Sequence, residues 1–357
     1  MVLLHLGRWL KANRKGLDMD LLALRDGSMR DAFTQVFDSI LGPSPKALDP
    51  IGLLRQRLRP EGPQERLLQE VSKQGHQLIY ANTVLAIPAA CRLKQLGGPS
   101  IRIVAHVHEL NTIIAMYLPE LRKYIGQVDR FIAVSQLVRD ELVERWGVPL
   151  DRITVVYEFS EVGKSPAASK QPIKDKMVVG GSGLVHWRKG HDLFIQVAHC
   201  LRREHPDVPA KFVWVGRLDA QHKIIVQADL ERSGLTDRVQ FVGELEDPLP
   251  AFREMDVMLL TSREDPFPLV CIEVGMLGTP LLCFQGATGI PEVLADGGGF
   301  VVPYLDVSAM ADHIAALWHD SNLRMFHSEK ARAVFSKFTP EDRCPPIGTL
   351  IDEMLQG

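Results

Sequence analysis

Cysteine is scarce in this chain. Its 357 residues hold five, Cys91, Cys200, Cys271, Cys283 and Cys344, an odd number with no CxxC or Cys/His spacing. Neither a disulfide framework nor a zinc site is therefore expected. No run of 18 apolar residues escapes charges or turn signals, so no membrane-spanning helix is expected. At the N-terminus the basic residues follow a short apolar stretch, the reverse of a signal peptide, and a cytoplasmic protein is expected. A dominant charge is missing too: Lys+Arg number 41 and Asp+Glu 44, for a net charge of −3. Aromatics make up 7% and are not interleaved with a basic patch, so nucleic acid is not an expected partner.

What is present is ordinary for a soluble globular protein: 46% hydrophobic and 24% charged residues, over a length that suits two domains. Charge divides unevenly. Up to Lys170 there are 23 basic and 18 acidic residues, and beyond it 18 and 26. The basic half suits an anionic acceptor or peripheral contact with a membrane surface, although such a split is more often without meaning.

The chain is organised around Thr261 to Phe284, TSREDPFPLVCIEVGMLGTPLLCF. From Pro266 to Phe284 the only charged residue is Glu273, within an apolar run that reads as a buried helix followed by a buried strand. Its neighbours at helical spacing, Leu269, Val270, Met276 and Leu277, are apolar, so its own helix offers no partner. Ligand hydroxyl groups are the expected one; the bland alternative is a solvated helix face. Pro268 suits the first helical position, which would leave the N–H groups of Leu269, Val270 and Cys271 free to meet an anion. Asp265 stands just outside, with helix N-cap as its bland reading.

The run SREDPFPLVCIE, with the GTP that follows and GIPEVLADGGGFVVPYLD at Gly289 to Asp306, resembles the nucleotide-sugar site of family 4 glycosyltransferases, retaining enzymes of GT-B fold. The resemblance implies that Glu273 holds the nucleotide ribose and that Asp265 lies against the donor sugar, with Phe267 among the substrate-binding residues. The first acid is usually Glu in that family, so Asp265 shortens the reach by one methylene. WRKG matches the diphosphate-binding element and Lys189 its lysine, beside Arg188; a surface basic pair is otherwise usually just solvated. Six positions before Lys189, where many members are basic, this chain has Gly183. The same resemblance brings the backbone of Gly216 to the ligand and the turn at Phe241 to Glu244, with Gly243, to the base.

His106 and His108 fall in AHVHELN, at the end of an expected strand. Strand carboxyl ends line the ligand crevice of doubly wound sheets. His108 matches a family histidine near the donor sugar; a strand-end His bonded to backbone is the bland reading. Glu109 and Asn111 follow, placed to orient an imidazole or touch an acceptor hydroxyl.

The expected architecture is α/β, two Rossmann-like doubly wound parallel sheets facing a cleft, with a C-terminal helix crossing back to the first domain. The domains are placed at 1–160, the linker at 161–176, the nucleotide-sugar domain at 177–338 and the returning helix within 339–357. Met1 to Gly16 reads as a helix with His5, Arg8, Lys11 and Arg14 on its polar face and Gly16 as C-cap. Asp20 to Leu24 reads as a strand ending at Asp26-Gly27 and Asp31 to Leu41 as a helix. Pro43 to Pro63 reads as loop with a short helix near Leu53 to Leu58, and the last helix as Ile347 to Leu355. Family members open on a strand and glycine loop, whereas this chain opens on the helix. A central strand would then be absent, leaving a gap. A wrongly assigned start codon, a shortened chain and a degenerate copy all fit.

The reading is a metal-independent retaining transferase. It uses a UDP- or GDP-sugar donor and a saccharide or lipid-linked acceptor in polysaccharide or glycoconjugate synthesis. No cofactor is expected, since no Asp-x-Asp motif accompanies the site residues. Two alternatives stand beside it: a catalytically impaired GT-B nucleotide-binding scaffold and a sugar-nucleotide epimerase.

Overall fold

The computed structural model describes residues 1–25, 27, 29–42, 62–161 and 175–356. Most of the expected linker and the helix expected near Leu53 lie outside them. The chain forms two compact units, one of Met1–Val134, Val138–Val156 and Pro340–Gly357, the other of Ser135–Leu137 and Tyr157–Thr339.

The first unit opens on helix α1 (Val2–Asn13), then β1 (Asp20–Leu22), α2 (Arg30–Thr34) and β2 (Ser39–Leu41). After α3 (Pro63–Val71) strands and helices alternate: β3 (Leu78–Asn82), α4 (Ile87–Gly97), β4 (Arg102–Val107), α5 (Asn111–Tyr117), β5 (Arg130–Ala133), α6 (Gln136–Glu141) and β6 (Ile153–Val155). Among the described residues two separate parallel sheets form, β1-β2 and β3-β4-β5-β6. Leu22, Leu24 and Leu41 from the ribbon pack on the same cluster as Ile79 of β3, around Leu68, Val71, Ala89 and Leu93. Apolar burial therefore holds the two sheets in one body without ladder hydrogen bonds between them.

The second unit is a doubly wound sheet whose strands are all parallel. Its elements are β7 (Met177–Ser182), α7 (His191–Glu204), β8 (Ala210–Val215), α8 (Ala220–Ser233), β9 (Val239–Gly243), α9 (Leu249–Arg253) and β10 (Val257–Leu260). They continue through α10 (Leu269–Met276), β11 (Leu281–Phe284), β12 (Gly299–Val302), α11 (Val307–His319) and α12 (Ser321–Phe335). The strand order is β12-β11-β10-β7-β8-β9. Because β7 is central, the winding reverses beside it and the loops after β7, β8 and β10 diverge to leave a crevice. Phe194 and Trp214, both buried, meet edge to face at 5.2 Å in the core beneath.

Four expectations are corrected. Residues 31–41 are not one helix: α2 stops at Thr34 and Ser39–Leu41 pairs in register with Asp20–Leu22. Half-buried Ile40 and Leu41 gain a ladder there that a helix would not give. The last helix, α13, runs from Pro340 to Gln356 and carries Pro345 and Pro346 inside it. Burial of Cys344, Ile347, Leu350 and Ile351 outweighs a propensity cost of about 3 kcal/mol per internal proline. Helix α1 ends on Arg14 as C-cap, not Gly16. His5, expected on its polar face, is buried: Gly7 packs on Val36 and Phe37, and α13 covers α1 elsewhere through the Arg14–Asp352 ion pair.

Candidate functional site

Helix α10 begins where its apolar run meets two prolines. Pro268, with φ −68° and ψ 131°, is the N-cap rather than the first helical residue, and its carbonyl accepts the N–H of Cys271 at 3.0 Å. This narrows the expected set of three free N–H groups: those of Leu269 and Val270 remain without an intrahelical acceptor. No side chain caps the helix, so Asp265 is not its N-cap.

Glu273 lies one helical turn along. The partner that its own helix cannot provide comes from Ser160, whose hydroxyl donates to Oε1 at 2.9 Å. Burial raises the Glu273 carboxyl pKa, and the Ser160 hydrogen bond opposes that only in part. Glu273 and Val270 line a cavity of about 410 Å³, together with Gly183, Gly216, Arg217 and Glu244. That volume falls in the range of small-ligand sites, about 300 to 1,000 Å³.

Near Gly183, one of the residues lining the cavity, sits a cluster of charges. Asp265, 6% exposed, accepts from Lys189 Nζ at 2.5 Å, Arg188 Nη1 at 3.4 Å and Ser262 Oγ at 3.1 Å. Arg188 Nη1 also donates to the carbonyl of Glu264 at 2.8 Å. Two cations thus converge on one carboxylate. Glycines make the convergence sterically feasible. Gly190 has φ +68°, and a Cβ there would lie 1.9 Å from the Thr261 carbonyl oxygen; a Cβ on Gly183 would press on the Lys189 stem at 3.1 Å. Gly183 therefore leaves room for the Lys189 stem to pack against it.

Not every expected residue reaches this place. The ring of Phe267 is buried, stacked on Phe338 at 5.5 Å with Tyr157 at 5.0 Å, and packs in the core instead of lining the cavity. Gly243 sits at the end of β9, its carbonyl accepting the Gly216 N–H at 2.8 Å.

His108 belongs to the first unit, at the carboxyl end of β4. Its Nε2–H donates to Asn82 Oδ1 at 2.9 Å, and its ring lies 4.1 Å from that of His106. Glu109 accepts the backbone N–H of His108 and of Val84, at 3.0 and 3.2 Å. His106 is buried at 1% exposure; Nδ1 is 2.7 Å from the Tyr80 hydroxyl, and Nε2 has no partner among the described residues. Between these strands Thr83 holds φ +96°, rare for a β-branched residue.

Burial, followed by the nearby His108, drives the His106 pKa well below its ordinary value. The unfolded chain therefore takes up a proton that the folded chain refuses. Stability from this group is complete above the unfolded pKa near 6.5 and is lost as pH falls below it, by at most about 1.4 kcal/mol per pH unit. Thermal melting at pH 7.5 and 5.5 should show a larger fall for the wild type than for His106→Gln. Equal falls would remove His106 from the acid response.

Several participants carried no mark in the sequence. Ser160 lies 113 positions before Glu273, and no local pattern pairs them. Glu292, in the GIPE run, accepts the N–H groups of Gln136 and Leu137, both at 2.9 Å. Tyr80 and Asn82 became visible only when β3 was laid in register with β4, which sets Asn82 opposite His106.

Comparison with known proteins gives the site a context. Residues 1–159 match the model described as Glycosyltransferase Family 4, and residues 175–320 the one described as Glycosyl transferases group 1. A D-inositol 3-phosphate glycosyltransferase of Paenarthrobacter aurescens (strain TC1) is 28% identical over 213 residues, 57% of this chain and 52% of the relative. The lipopolysaccharide core biosynthesis mannosyltransferase LpcC of Rhizobium leguminosarum bv. viciae is 29% identical over 182 residues, 50% and 51% of the two chains. The matches span about half the length of these relatives. In fold, the chain is similar to Anabaena Alr3699/HepE, solved with UDP and glucose, with a TM-score of 0.74 at 20% identity over 99% of this chain and 95% of that one. No helix of the described residues is long and apolar enough to cross a membrane.

Proposed function

The chain belongs to the family 4 glycosyltransferases, and from that premise we propose that it moves a sugar from a nucleoside diphosphate to an acceptor hydroxyl with retention of anomeric configuration. The observation that carries this reading is the packing of the Lys189 stem beside Gly183, which lines the same cavity as Glu273 and Val270. A diphosphate entering there meets Lys189, Arg188 and the N–H groups of Leu269 and Val270. Its ribose meets Glu273.

The chemistry follows from charge. As the anomeric C–O bond breaks, negative charge grows on the leaving diphosphate while the sugar becomes oxocarbenium-like. Lys189 supplies a point charge and Arg188 a fork for the phosphates, and the helix N-terminus adds its dipole. Asp265 faces the cationic sugar, and His108 is assigned to turnover more than to nucleotide binding. The leaving diphosphate takes the acceptor's proton. Neutralisation of the diphosphate falls on this chain's own cations, so chelators should not alter transfer. Donor and acceptor are a UDP- or GDP-sugar and a saccharide or lipid-linked hydroxyl in polysaccharide or glycoconjugate synthesis, with peripheral membrane contact where the acceptor is a lipid.

Calorimetric titration with UDP, GDP and ADP, then sugar release from the matching donors with and without EDTA, tests this. Binding of one base with slow, EDTA-insensitive release and retained configuration in the product's NMR spectrum is the expected result. No binding of any nucleotide would overturn the reading. The separation of the β1-β2 ribbon from the β3-β6 sheet favours a second reading, a nucleotide-binding protein without transfer. Binding with no release from any donor would select it.

A further inference from the structure

Strands β8 and β9 end side by side. The Gly216 N–H bonds to the Gly243 carbonyl at 2.8 Å, so the next residues, Arg217 and Glu244, leave adjacent strand ends at the same edge of the sheet. Both line the cavity that holds Glu273. Neither side chain has a hydrogen-bond or ion-pair partner among the described residues, and the two opposite charges are not paired with each other. A free guanidinium and a free carboxylate therefore flank one cavity, beside the apolar side chain of Leu245.

From this arrangement we propose that the cavity selects guanine, so that the donor is a GDP-sugar. The proposal rests on the nucleotide-sugar reading above and narrows its base. Guanine offers two adjacent donors, N1–H and the N2 amino group, with the acceptor O6 next to them. A carboxylate accepts both donors at once, and a guanidinium donates to O6. Uracil offers a single N–H between two carbonyl oxygens, which repel a carboxylate. Adenine sets the lone pair of N1 beside its one amino group and repels it likewise. A site with polar groups built for one edge disfavours bases that leave those groups unmatched. Glu273, in the same cavity, is left to the ribose.

The test is calorimetric titration of the full chain with GDP, UDP, ADP and inosine diphosphate, the last lacking the N2 amino group. GDP should bind at least about tenfold more tightly than UDP or ADP, and inosine diphosphate should lie between them. Glu244→Gln should lower GDP affinity about tenfold, change UDP affinity less than about twofold, and abolish the difference between GDP and inosine diphosphate. Glu244 is exposed, so its substitution should leave the melting temperature unchanged. UDP or ADP binding as tightly as GDP, or Glu244→Gln weakening every nucleotide equally, would overturn the guanine assignment and leave the nucleotide site standing. No binding of any of the four would instead overturn the nucleotide reading itself.

Discussion

Asp265→Asn is expected to bind nucleoside diphosphate more tightly than the wild type while losing most of its transfer activity. The Asp265 carboxylate draws in Lys189 and Arg188, the same cations that a diphosphate needs. Incoming phosphates must share or displace that contact. Removing the charge frees both cations, and affinity should rise about threefold to tenfold. Transfer should fall about 100- to 1,000-fold, because no anion then faces the developing positive charge on the sugar. The variant should also be less stable, since two half-buried cations lose their anionic partner. Saturating nucleotide should restore the melting temperature. Calorimetry, melting and single-turnover transfer separate these effects. If affinity and transfer fall together, Asp265 shapes the pocket and does not hold the cations in reserve.

Glu273→Ala should show the opposite pairing of signs. Its carboxyl pKa is raised in the fold, above the unfolded value, so the ionised form is disfavoured by folding. For a carboxyl group that sign means a stability contribution that is unfavourable above the folded pKa and relieved as pH falls through it. At neutral pH, replacing Glu273 should therefore leave stability unchanged or improve it. Nucleoside diphosphate affinity should fall about 10- to 100-fold through loss of charge-assisted hydrogen bonds to the ribose. Glu273→Gln retains an acceptor for Ser160 and should fall between the two. Undiminished affinity in Glu273→Ala would remove the ribose assignment. A melting temperature that drops instead would make Glu273 a structural residue.

A stability that improves when a site residue is removed is the usual mark of a group kept for ligand and not for the fold. Ser160 moderates that cost without cancelling it. Its hydrogen bond lowers the carboxyl pKa, but burial is the larger influence.

The chain by itself determined its secondary structure wherever the pattern is local. Alternating apolar runs and glycine turns in residues 177–302 dictate strands and helices because a buried parallel strand or an amphipathic helix needs only neighbours in sequence to announce itself. The apolar run around Glu273 likewise marked an acid in need of a partner, with a solvated helix face as the alternative. Tertiary structure decided whatever depends on distant partners. Ser39–Leu41 became a strand because Asp20–Leu22 offered it a ladder, and Pro340–Pro346 became helix because burial outweighed propensity. Arg188 and Lys189 met Asp265 only when β7 and β10 were laid together at the centre of the sheet, and Ser160 met Glu273 across 113 positions of chain. The physical reason is range. Backbone propensity and side-chain periodicity act over a few residues, whereas electrostatic and hydrogen-bond partners are chosen by which strand ends the sheet order makes adjacent.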